Sequence, residues 1–155
     1  MNAIYPWRTG RSCVSKLFVH FVFVTKYRRG VLNAKLLASL KSIFAETCGQ
    51  MEAELLEFGG EDDHVHLMIA YPPKIALATL VGKLKGKSSY IVRREFASHL
   101  KRYLWGEHFW SPSYCAVSCG GAPLDVVREY VANQRTPTNQ ANAQRSVKRA
   151  ARGTR

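Results

Sequence analysis

The order of apolar runs along this chain predicts an α+β fold: an antiparallel sheet with helices on one face, and a further C-terminal helix. Three observations carry the prediction. Four short segments rich in Val, Phe and other strand formers are interleaved with segments whose apolar residues recur every three or four positions. Paired punctuation, Pro72-Pro73 and Gly120-Gly121, falls at the joins. Finally, 155 residues that are 46% hydrophobic make a domain of ordinary size, with enough apolar surface for a core without staples.

Residues 16–26 are dense in Val and Phe, as in a central strand covered on both faces. Asn33 can cap a helix in which Leu36, Leu37, Leu40, Ile43, Phe44 and Thr47/Cys48 recur at helical spacing, and Gly49 is expected to end it. Residues 51–58 suit a second strand, 59–63 a turn and 64–71 a third strand. Pro72-Pro73 stops that strand and opens a long helix over 74–96, whose apolar face is Leu77, Leu80, Val81, Leu84, Ile91 and Val92. Residues 109–118 form the fourth strand, and a turn at 120–123 leads into a last helix over 124–134. The sequence β-α-β-β-α-β matches the split β-α-β, or ferredoxin-like, arrangement, with one helix appended. Residues 1–134 are thus expected to form one domain. Residues 135–155 hold six basic residues, no acid and only Val147 as a larger apolar side chain, the composition of a disordered basic tail.

Several function classes fall away on composition. No apolar stretch approaches the roughly 20 residues of a membrane helix, and 17–24 lacks the cleavage signal of a leader. The four cysteines show no CxxC spacing, so reduced core residues in a cytoplasmic protein are expected. Charge is more telling. Lys and Arg outnumber Asp and Glu by 23 to 11, and seven of the eleven acids fall between Glu46 and Asp63. A basic chain with acids gathered around two histidines suggests a polyanionic partner and a local cation site.

Those histidines stand in EDDHVHLMI (61–69). In a strand, His64 and His66 project to one side while Val65 points to the core. Two neutral imidazoles on one face can share a divalent ion, although a lone HxH motif is equally met by backbone or water. In the last helix, Tyr130 and Gln134 are one turn apart at the edge of the buried stripe Leu124, Val127 and Val131. A packed ring and a glutamine at a fraying end explain each alone. Beside a histidine pair, the two together suggest a third metal ligand and a tyrosine nucleophile for phosphoryl chemistry.

The motifs HVH, FVFVTKYRRGVL (21–32), GGEDDHVHLMIAYPPK (59–74), LVGKLKGKSSYIVRREF (80–96), LWGEHFWSPSYCAVSCGG (104–121) and REYVANQ (128–134) follow one another in an order that resembles the IS200-like single-tyrosine HUH transposases, which include the REP-associated tyrosine transposases. The resemblance implies an enzyme that cleaves and rejoins single-stranded DNA at mobile-element ends. It implies His64, His66 and Gln134 as ligands of Mg²⁺ or Mn²⁺, and Tyr130 as the nucleophile of a 5′-phosphotyrosine intermediate with no nucleotide cofactor. It further implies a homodimer that recognises hairpins and resides in the cytoplasm on the nucleoid. The alternative is a noncatalytic hairpin- or RNA-binding module of the same fold, which would leave the four site residues without a shared purpose.

Among the acids, Asp63 is placed to orient an imidazole from outside the metal shell, with a solvated turn as the bland alternative. For DNA, Lys26, Arg28 and Arg29 leave the first strand together, and Lys83, Lys85 and Lys87 line part of the long helix. Trp105, Phe109 and Trp110 could stack bases, though a core position suits Trp110 better.

Overall fold

The computed structural model describes residues 7–103 and 108–118. The expected last helix, with Tyr130 and Gln134, and the basic tail lie outside the described residues, as does Trp105.

Two short strands, β1 (Arg8–Thr9) and β2 (Val14–Ser15), form a small antiparallel hairpin that the sequence pattern did not announce. β3 (Phe18–Thr25) follows, then a 3₁₀ turn at Lys26–Arg28 and helix α1 (Ala34–Gln50). The Asn33 side chain caps α1 as expected, its Oδ1 accepting from the Leu36 N–H at 2.9 Å. The helix passes through Gly49, and the reversal comes at Glu52, whose φ of 58° supplies the left-handed exit usually given to glycine.

β4 (Glu54–Gly60) and β5 (His64–Ala70) form the next hairpin. The glycine pair 59–60, expected in the turn, belongs to β4, which leaves only 61–63 to reverse the chain. Helix α2 (Leu77–Glu95) starts three residues later than expected, a one-turn helix α3 (Ala97–Leu100) follows, and β6 (Trp110–Ser118) closes the sheet.

The four-stranded sheet runs β4-β5-β3-β6 with every neighbour antiparallel, the order of a split β-α-β fold. On one face, Val19, Phe21 and Phe23 of β3 lie opposite Ile69, Leu67 and Val65 of β5. These join Leu36, Leu40, Phe44, Leu80, Leu84 and Val92 of the helices in a single core. Phe44 and Trp110 both meet Phe23 with edge-on rings. Trp110 is therefore core, and its indole N–H donates to the buried Ser88 hydroxyl at 2.9 Å.

The other sheet face carries His64, His66 and Met68 of β5, opposite Val24, Val22 and His20 of β3. The period of two thus sends one set of β5 side chains to the core and the other to the site. No described helix is long and apolar enough to cross a membrane.

Candidate active site

His64 opens β5, and its ring is buried. The tight turn before it is closed by the Glu61 N–H donating to the His64 carbonyl at 2.9 Å. That turn places Asp63 beside the imidazole, with Oδ1 2.8 Å from His64 Nδ1. A carboxylate at Nδ1 fixes the proton there and leaves Nε2 as the bare nitrogen. The other oxygen of Asp63, Oδ2, receives Arg28 Nε at 3.1 Å and Nη2 at 3.0 Å.

Arg28 reaches that carboxylate because the chain turns sharply after β3. Tyr27 and Arg28 are consecutive non-glycine residues in the left-handed region, at φ 58° and 51°. Each such residue costs on the order of 1–2 kcal/mol, so the surrounding contacts must hold the turn. The fully buried Thr25 supplies several of them. Its N–H donates to the Asp63 carbonyl at 3.0 Å, and its hydroxyl donates to the Arg29 carbonyl at 2.8 Å. The Leu32 N–H donates to the Asp62 carbonyl at 2.8 Å, which ties the loop after the turn to the same acidic corner.

His66 faces the same side two residues on, directly opposite Gly59 of β4. A Cβ built on Gly59 would collide with His66 Nε2 and lie 2.6 Å from its Cε1. The imidazole therefore lies in space that any other residue at 59 would fill. At Gly60 a Cβ would come within 2.7 Å of the His64 carbonyl and 3.0 Å of Leu37 Cδ2. Sequence reasoning missed both functions of this pair, although glycine inside a strand pattern is a signal of close approach.

The donor set fits part of a divalent-ion site: two imidazoles on one strand face, one with its tautomer fixed by a carboxylate. It is incomplete by itself, for no group of three or more His, Cys, Asp or Glu stands ready to hold a metal among the described residues. A metal ion held here would need a further ligand from elsewhere, and Gln134 lies outside the described residues. A third histidine, His20, is buried on the same face opposite Met68. Desolvation lowers its pKa, with Glu57 pulling the other way, which favours a neutral ring.

The predicted DNA-contacting cations fall into different settings. Lys26 is half-buried with Nζ 5.2 Å from the ring of exposed Tyr27, and Arg29 and Lys83 are exposed. Lys85 Nζ donates to the carbonyls of Ser111 and Ser113 at 2.7 and 2.8 Å, and Lys87 bonds the Gln50 side chain. Arg28 is bound to Asp63.

Residues 13–134 match the family described as Transposase IS200 like. The chain belongs to this family. It is 33% identical over 129 residues to the ISDra2 transposase TnpA of Deinococcus radiodurans, covering 82% of this chain and 90% of that protein. To the transposase for insertion sequence element IS200 of Salmonella typhimurium it is 30% identical over 115 residues, 74% of either chain. In three dimensions it resembles a crystal structure described as that of a transposase from Deinococcus radiodurans R1. There the TM-score is 0.72 at 31% identity, over 82% of this chain and 97% of that one. A REP-associated tyrosine transposase bound to a REP hairpin shares the fold, with a TM-score of 0.53 at 13% identity over 80% of this chain and 68% of that one. The IS200-like family and the α+β fold expected from the sequence are thus both established. As a transposase, the protein is a DNA-processing enzyme.

Proposed function

We propose that this transposase cleaves and rejoins single-stranded DNA through a covalent 5′-phosphotyrosine on Tyr130. The observation that carries the reading is the pairing of His64 and His66 on one strand face, with His64 oriented by Asp63 and His66 accommodated by Gly59. His64, His66 and Gln134 would hold Mg²⁺ or Mn²⁺, which when bound polarises the scissile phosphate and neutralises its charge. Asp63 serves from outside the ligand shell, keeping the His64 proton on Nδ1.

In the cleavage step the Tyr130 oxygen attacks phosphorus, an O–P bond forms, and the bond to the 3′ oxygen breaks. The phenolic proton leaves Tyr130, and the departing strand ends in a 3′-OH. Rejoining reverses the step with another 3′-OH, so the bond energy is conserved and no nucleotide is needed.

Lys26, Arg29 and Lys83 are the cations best placed to meet phosphates. Lys85 and Lys87 would contribute to the field of the basic face while their ammonium groups also hold protein acceptors. A hairpin flanked by single strands is the expected substrate, supported by the REP hairpin bound to the structural relative. The active protein is expected to be a homodimer.

The test uses the full-length protein, Mn²⁺ and labelled single-stranded oligonucleotides from the flanks of its gene. An adduct that survives SDS is expected from the wild type and from neither Tyr130→Phe nor His64→Ala nor His66→Ala, with hairpin binding retained by all three. Hairpin binding without any adduct would favour the noncatalytic binding module. An adduct mapped by mass spectrometry to Tyr114 or Tyr103 would overturn the assignment of the nucleophile.

A further inference from the structure

The geometry points to Arg28 as a positioning residue that acts on His64 through Asp63, not as a contact for DNA. The inference deepens the reading above and rests on it where it concerns the metal. A histidine ligand needs its proton on one ring nitrogen and the other nitrogen bare. Asp63 Oδ1 can secure this, but a lone carboxylate can rotate about its own side-chain torsions. Arg28 removes that freedom. Both its Nε and Nη2 lie on Asp63 Oδ2, at 3.1 and 3.0 Å, which leaves Oδ1 to the imidazole at 2.8 Å. Each carboxylate oxygen therefore has one task.

The chain on both sides is built to keep this arrangement. The Asp63 backbone is fixed by the Thr25 N–H, and the left-handed pair Tyr27 and Arg28 turns the arginine back toward the 61–63 turn. The planar guanidinium suits the purpose because its donors point in fixed directions, which an ammonium cannot imitate.

Burial argues against a phosphate contact. The Arg28 side chain is only 16% exposed, and its Nη1 is buried without a hydrogen-bond partner among the described residues. A strand of DNA could not reach that nitrogen without displacing what covers it. The neighbouring Arg29, by contrast, is exposed.

The test compares wild type, Arg28→Met, Arg28→Lys and Asp63→Asn as full chains, with cooperative melting as the check on folding. Long-range ¹H–¹⁵N spectra of ¹⁵N-histidine-labelled, metal-free protein report the His64 tautomer, and calorimetric titration with Mn²⁺ alone reports affinity. A single Nδ1–H form is expected in the wild type. In Arg28→Met, the expectation is a mixed tautomer and an affinity for Mn²⁺ lower by about tenfold or more. Asp63→Asn should behave likewise, Arg28→Lys should recover part of the loss, and binding of a hairpin oligonucleotide should stay within about twofold. Should Arg28→Met fail to melt cooperatively, Arg28→Lys and Asp63→Asn decide by the same readouts. An unchanged tautomer and Mn²⁺ affinity, with hairpin binding weakened instead, would overturn the inference and make Arg28 a phosphate contact. If the wild type binds no Mn²⁺, the metal reading fails, while the tautomer still shows whether Arg28 governs the Asp63–His64 pair.

Discussion

Replacing Gly59 with alanine adds one methyl group where the His66 ring now lies. The new carbon would be 2.6 Å from Cε1, whereas nonbonded carbons settle about 3.5–4.0 Å apart, so the imidazole must move by about 1 Å. The ring is the far end of a side chain with two rotatable torsions, and leaving its rotamer costs roughly 0.5–1.5 kcal/mol. Against this, alanine restricts the unfolded chain and returns roughly 0.4–1 kcal/mol. Gly59 does not occupy the left-handed region, so no backbone strain is added. Net stability should therefore change by less than about 1 kcal/mol, while a 1 Å misplacement of a site group can reduce the rate on the order of a hundredfold. Thermal melting together with the rate of SDS-stable adduct formation measures both quantities. The adjacent Gly60→Ala is the control: its methyl meets the His64 carbonyl at 2.7 Å, and backbone cannot rotate away. That variant should lose about 1–3 kcal/mol of stability, as overpacking does. A Gly59→Ala protein with wild-type cleavage would show that the position of the His66 ring is immaterial. One destabilised as much as Gly60→Ala would show that the ring has nowhere to go.

Two further outcomes concern stability. Ser88→Ala leaves the Trp110 indole N–H without its acceptor inside the core, which should cost about 1–3 kcal/mol by urea denaturation; a loss below about 0.3 kcal/mol would refute the importance of that bond. Burial pushes Lys85 down from 10.5 to about 8, so between those values the unfolded chain holds a proton that the folded chain has released. Stability relative to Lys85→Met should therefore rise as the pH climbs from about 8 to 10.5, by about 1 kcal/mol after allowance for solvent screening, and a flat difference would contradict burial as the cause.

Much of the fold was legible because strong local signals agreed with it. The Asn33 cap, the periodic leucines of α1, the Val-Phe density of β3 and the proline pair after β5 each describe what the structure contains. The misreadings occur where a contact distant in sequence overrides local preference. Gly59 and Gly60 look like turn residues, yet they are glycine because of what crosses from β5 and α1. The alternation of His64 and His66 about Val65 could be read directly, as could the nearness of Asp63. That Arg28 binds Asp63 could not, since it depends on a pairing across 35 positions and on two left-handed residues with no glycine to mark them. Lys83, Lys85 and Lys87 looked alike as a row, but packing gives them different environments, with Lys85 turned toward β6.

β5 has a consequence for how such a protein can change over generations. Val65, Leu67 and Ile69 answer to the core, and His64, His66 and Met68 to the opposite face, although the two sets alternate along six consecutive residues. On the function proposed above, mutation at odd-numbered positions is filtered by whether the chain stays folded, and at even-numbered ones by whether the face still performs its chemistry. Because the filters act on different side chains, one set can drift while the other is held. A lineage can thus adjust its thermal tolerance without renegotiating its reaction, or abandon the reaction and keep the scaffold for another use.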